Sequence, residues 1–247
     1  MLTLEICANS IQSAINAQEA GAYRVELCEN LMQGGTTPSY GLLSQARKHL
    51  IIKLNVLIRP RPCDFLYSDL EYQIIKEDIT MAKQLGADGV VCGILLANGD
   101  VDIVRTKVLV DLAKPMSFTF HRAFDFTNDP FKALEDVIST GADRLLTSGQ
   151  QPTAIQGEHL LRELVKIGKG KIIIMPGSGV NADNIEYLIE TGAAEFHMSG
   201  TTPIESKMAF RKLGMTLENP DEDYKINESN KEKIQEVLLI LKRFKTI

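Results

Sequence analysis

Between Met116 and His121 the chain alternates: Ser117, Thr119 and His121 fall on one side, Phe118 and Phe120 on the other. Period two over this length is the pattern of a β-strand with two unlike faces, because successive side chains of an extended backbone point in opposite directions. The apolar face predicts a helix layer and the polar face a shared interior. Arg122 and Asp125 follow, and Asn128-Asp129-Pro130 then starts a helix with a capping side chain and proline at its first position.

The same plan recurs. Gly21-Ala22, Gly86-Ala87, Gly141-Ala142 and Gly192-Ala193 each close a helix-like stretch and lead into an apolar strand pattern, and glycine suits the left-handed residue that ends a helix. A further strand lies between each pair, so eight are expected, near 2–8, 23–28, 52–59, 89–94, 116–121, 143–148, 171–176 and 195–199. Capping boxes at Ser68-x-x-Glu71 and Ser229-x-x-Glu232 precede amphipathic helices. Eight strands alternating with helices over 247 residues predict an α/β fold, a (β/α)8 TIM barrel forming one domain over 1–247. A doubly wound open sheet is the competing architecture, but it should open on a glycine-rich first turn that is missing here. Only about 200–228, before the last helix, reads as a polar irregular segment, rich in Asp, Glu and Asn near 218–223.

Aligning the strands on the Gly-Ala turns assigns their inward side chains. The lowest layer holds Arg24, Arg144 and Glu195, the middle one Glu26 and His197, and the top only small residues, Cys28, Gly93, Ser148 and Ser199. The odd strands add Glu5 and Cys7, then Asn55, Leu57 and Arg59, then Thr119 and His121. Buried charges are costly unless paired or bound to a ligand. Arg24, Arg144 and Glu195, low in the barrel, read as a structural ion network. Glu5, Glu26, His121 and His197, towards the strand ends, read as candidate acid–base residues.

The loops at the carboxyl ends of the strands point to an anion. Arg59 and Arg61 sit on a proline-stiffened loop, and guanidinium groups match carboxylate or phosphate in pairs of hydrogen bonds. Gly177, Ser178 and Gly179 are expected to open the helix after the seventh strand with free amides, while Ser148 and Ser199 add hydroxyls.

Composition narrows the classes. A formal charge of −5 and a pI near 5.5 argue against nonspecific binding to nucleic acid or to an anionic membrane. The first residues lack the pattern of a signal peptide, and no apolar run reaches the roughly 20 residues that span a bilayer. The four cysteines, Cys7, Cys28, Cys63 and Cys92, have neither disulfide-framework nor zinc-site spacing. A cytoplasmic protein is expected; self-association as a homo-oligomer is left open.

These residues resemble the CutC family, named for copper homeostasis. The resemblance runs through Leu4-Glu-Ile-Cys7, Arg24-Val-Glu-Leu-Cys28, Gly34-Gly-Thr-Thr-Pro-Ser39, Ile58-Arg-Pro-Arg61 with Asp64-Phe65, Thr119-Phe-His-Arg-Ala-Phe-Asp125, Leu146-Thr-Ser-Gly149 and Glu195-Phe-His197. It implies a cytoplasmic (β/α)8 barrel associated with copper handling. The family's loop after the third strand usually carries glycines where this chain has Pro62-Cys63, which makes Cys63 a candidate extra ligand. Cu(I) prefers thiolate and thioether ligands with imidazole as partner. Cys7 and Cys28, inward on neighbouring strands about 4.8 Å apart, are the candidate copper ligands; buried small apolar residues would look the same. Cys92 should face the helices. The rival expectation is a metal-independent barrel enzyme for a small phosphorylated or carboxylated metabolite, with Glu5, Glu26, His121 or His197 moving protons. A barrel that only binds such a metabolite is the third.

Overall fold

In the computed structural model, which describes residues 2–212, 214–215 and 223–244, eight strands form one parallel sheet. They are β1 (Thr3–Ala8), β2 (Arg24–Leu27), β3 (Lys53–Leu57), β4 (Gly89–Cys92), β5 (Ser117–Phe120), β6 (Arg144–Thr147), β7 (Ile173–Pro176) and β8 (Glu195–Met198). Their order is β7-β6-β5-β4-β3-β2-β1-β8. The two ends, β7 and β8, lie side by side, so the sheet curls into a nearly closed barrel. Space is tight at that seam: a side chain at Gly177 would come within 2.5 Å of Leu146 Cδ1 and meet His197 Cβ and Nδ1 at 3.3 Å.

The helices α1 (Ile11–Ala20), α2 (Tyr40–His49), α3 (Asp69–Gln84), α4 (Ile103–Ala113), α5 (Pro130–Thr140), α6 (Glu158–Gly168), α7 (Ile185–Ile189) and α8 (Lys231–Arg243) alternate with the strands. Alternation explains the layers. Leu4, Ile6, Val25, Leu27, Leu54, Val56, Phe118, Phe120 and Phe196 leave the strands outward and join Ile75, Ile79, Leu109 and Leu161 of the helices in the main core. Each such side chain contributes roughly 1.5–3 kcal/mol when fully buried. The other strand face turns inward, where Cys7, Cys28, Leu57 and Val91 form a small separate cluster. The glycines of all four Gly-Ala turns adopt positive φ, between 81 and 95°.

The capping box at Ser68 and Glu71 is formed, and Asp129 caps α5 with Pro130 following. Three local expectations are corrected. Asn230, not Ser229, caps α8, because Ser229 is drawn into a strand. The stretch after β7 does not open a helix: turns occupy it until α7 starts at Ile185. The segment about 200–228 is not irregular throughout, since β9 (Thr201–Glu205) pairs antiparallel with β10 (Lys225–Ser229); its residues 213 and 216–222 lie outside the described residues. No helix among the described residues is long and apolar enough to cross a membrane.

Candidate functional site

Two hollows open on the barrel axis or beside it. The one at the amino-terminal end, about 520 Å³, runs between Tyr23, Ile51, Lys53 and Leu238, with Lys242 also in its lining; there Arg47 and Lys53 both pair with Asp88. The other, about 350 Å³, lies at the carboxyl ends of the strands, where Cys7, Glu26, Arg59, Phe65, His121 and His197 converge. Barrels of this kind keep their chemistry at that end, and of the two hollows only this one brings thiol, imidazole and carboxylate together.

Parallel pairing sets the floor. β1 and β2 place Glu5 beside Arg24 and Cys7 beside Glu26, while β1 and β8 place Glu5 beside His197. Glu5 therefore sits one level below the cavity. It is 1 % exposed and does not line the cavity; Oε2 is ion-paired with Arg24 and hydrogen-bonded by Asn55 at 3.1 Å, while Oε1 has no hydrogen-bond partner. Beneath it Glu195 Oε2 accepts from Arg24 Nη2 at 2.7 Å and from Arg144 Nε at 2.6 Å, which is the ion network the strand alignment predicts.

One level up, His197 Nε2 donates to Glu26 Oε2 at 2.8 Å. Burial pushes the Glu26 carboxyl up, but the adjacent His197 outweighs it and holds Glu26 below the usual carboxylate range. Burial likewise lowers His197, and Glu26 and then Glu5 more than reverse it. Both shifts favour the charged forms, an imidazolium beside a carboxylate. Above them Cys7 Sγ and Cys28 Sγ are 3.6 Å apart. The hydrogen bond with Cys28, then burial, raises the Cys7 thiol well above its ordinary value, so Cys7 is protonated. The ligand atoms of Cys7, Glu26 and His197 all lie within 4.8 Å of one another.

The upper wall is built on Phe65, whose ring packs against His121 at 5.0 Å and under the Arg59 guanidinium at 5.1 Å. His121 fills the space left by Gly93, where a side chain would come within 2.7 Å of Nδ1. The expected open layer of small residues is thus partly filled by an imidazole. Ser148 is fully buried and tied to Asp125 and Arg122. The carboxylate of Asp125 also accepts from Thr147 and Gln150, pinning the loop after β6 to the one after β5.

The remaining predicted anion ligands divide. Arg59, Ser178, Gly179 and Ser199 line the cavity. Gly177 does not: its amide donates to Thr147 in the sheet at 3.0 Å. Arg61 points away, held by Glu71 at 2.5 Å and Asp64 at 3.0 Å. Cys63 is exposed and outside the lining; it takes φ +74°, the left-handed conformation that a glycine would adopt freely. Phe65 carries no chemical signature of its own in the sequence, and only its place after Asp64 marked it.

Burial, then the charge of Arg59, pushes His121 down to about 4. The unfolded chain binds a proton near pH 6.5 and the folded one does not until about pH 4, so this histidine leaves stability untouched above pH 6.5 and removes it progressively below. The loss should reach about 3 kcal/mol near pH 4. Urea unfolding of the protein and of His121→Gln across this range checks it; equal acid slopes would refute the assignment.

Comparison with known proteins places this geometry. The sequence model of the CutC family matches residues 2–202. A CutC family protein from Chromobacterium violaceum is 51 % identical over 215 residues, 87 % of each chain. The human copper homeostasis protein cutC homolog is 43 % identical over 87 % of this chain and 79 % of its own. A crystal structure named for a copper homeostasis protein CutC from Streptococcus agalactiae superposes with a TM-score of 0.76 at 36 % identity, covering 81 % of this chain and 99 % of that one.

Proposed function

Because this chain belongs to the CutC family, we propose that it serves copper homeostasis in the cytoplasm by binding Cu(I) at the barrel mouth through Cys7 and Cys28. One observation carries the reading: two buried thiols 3.6 Å apart, of which Cys7 lines the open cavity while Cys28 is fully buried behind the lining. Soft sulfur donors suit Cu(I), and a reducing compartment keeps both thiols available. His197 and Glu26 are the further donors within reach of Cys7. His197 Nε2 and Glu26 Oε2 are already bonded to each other, so the thiol pair is the primary ligand set. Copper is cargo in this reading, and the chain's own part is to hold it while the displaced thiol proton leaves to solvent; Glu26, held below the usual carboxylate range, does not retain it.

The sign of the pH dependence follows. Cys7 is raised above the ordinary thiol range, so binding must release its proton, and affinity should rise about tenfold per pH unit for each proton released. Competition against a chromophoric Cu(I) chelator between about pH 6 and pH 8, under reducing conditions, tests this. One equivalent bound, more tightly at higher pH, is expected. Failure to withdraw Cu(I) from the chelator, or an affinity flat with pH, would remove the proposal.

A further inference from the structure

Arg59 is 5 % exposed, yet no carboxylate pairs with it among the described residues. Its guanidinium donates only to main-chain carbonyls, from Nη1 to Gln33 and Gly35 and from Nη2 to Cys63, and Nε has no partner. Carbonyl dipoles hold the group in place without cancelling its charge, and a buried cation normally has an anion beside it.

His121 stands on the same wall. Its Nδ1 accepts the Ala123 N–H at 3.1 Å, so the proton of the neutral ring is on Nε2. That Nε2 is buried without a partner, and the ring lines the cavity. The ring is seated in the space over Gly93 and against Phe65, the same ring that carries Arg59. Burial and Arg59 keep it neutral, with its pKa pushed down to about 4. A neutral, fixed imidazole N–H is a donor suited to a carbonyl or hydroxyl oxygen.

We propose that the cavity binds a small carboxylic acid oxygenated at the adjacent carbon, a 2-oxo or 2-hydroxy acid, its carboxylate meeting Arg59 and its second oxygen accepting the Nε2–H of His121. The charge selects a monoanion. Glu26 Oε1 is also without a partner at this mouth, and a phosphate dianion would put surplus negative charge beside it. Nor does a helix start after β7 to receive phosphate: α7 begins only at Ile185, the Gly177 amide is in the sheet and the Asn181 amide donates to Asn184. The site uses neither thiol and does not rest on the copper reading.

The full chain, copper-free and held with a Cu(I) chelator, is labelled with ¹⁵N in its imidazoles and titrated with pyruvate, lactate, propionate and inorganic phosphate. Pyruvate or lactate should move the His121 Nε2 signal saturably and more strongly than propionate. By isothermal calorimetry, Arg59→Ala should weaken all three carboxylates by roughly tenfold or more, whereas His121→Phe, which lacks the reporter signal, should weaken pyruvate and lactate by about that factor and spare propionate. The wild-type signal decides the question even if a variant fails to fold. A signal that pyruvate and lactate leave unmoved, one that phosphate moves best, or folded variants that bind as the wild type does would overturn the proposal.

Discussion

Serine at both Cys7 and Cys28 should cost the protein at least about a hundredfold in Cu(I) affinity. Losing even an indirect support of a metal ligand typically costs 10–100-fold, and here both soft donors would go. Serine keeps the shape but offers a hard hydroxyl that does not ionise near neutrality. Each single variant should fall between the double variant and the wild type, because one thiol remains, and Cys7, where it is the one kept, has His197 close by. Cys63→Ser should bind as the wild type does, since that thiol is exposed and is not part of the Cys7–Cys28 pair. Chelator competition with folding checked by circular dichroism is the measurement. The check is needed because the Cys28 side chain packs in an apolar cluster with Leu57 and Val91, where a hydroxyl without a partner costs about 1–3 kcal/mol. A folded double variant that still takes Cu(I) at wild-type affinity would exclude these cysteines as ligands.

Glu195→Gln should destabilise the barrel by about 3 kcal/mol, the lower end of what breaking a buried ion pair costs. Glu195 Oε2 is shared by Arg24 and Arg144. Arg24 would keep Glu5. Arg144 would keep only Thr119, at 3.3 Å, with its charge left in the barrel interior. The lower end applies because the Glu195 side chain retains 14 % exposure, so water screens part of the change. Urea unfolding of Glu195→Gln, Arg144→Met and the double variant completes the test. The double variant should be more stable than Glu195→Gln, since it removes the stranded cation. A loss under about 1 kcal/mol in Glu195→Gln would show that the layer is solvated and not a structural network.

How much of this was legible in the sequence depends on how local the determining interaction is. Period-two alternation and the four Gly-Ala turns depend on neighbours a few residues apart. They were sufficient to place eight strands, to assign a barrel, and to turn Cys7, Glu26, Cys28, His121 and His197 inward. Even the pairing of Glu26 with His197 in one layer could be read by counting from the turns. Departures arise where a side chain's partner comes from another loop or strand. Glu5 joined the candidate acids because it is inward and charged, but lateral register sets it beside Arg24. Arg61 shares a stiff loop with Arg59, yet Glu71 of α3 draws it away from the mouth.

The sequence by itself determined the architecture and the inventory of the interior, because alternation and helix-closing glycines act through backbone geometry that is the same wherever the strand lies. Only the tertiary structure decided which of those side chains are satisfied and which are not. Glu26 and His197 are 171 residues apart and neutralise each other across β1, the strand between them. Arg59 is held by carbonyls of the loop after β2, and His121 is held over the glycine that follows β4 with one nitrogen unspent. Such pairings require the ring of strands to be nearly closed before the partners meet, and the charge or hydrogen bond left over is a property of that meeting, not of any one stretch of chain.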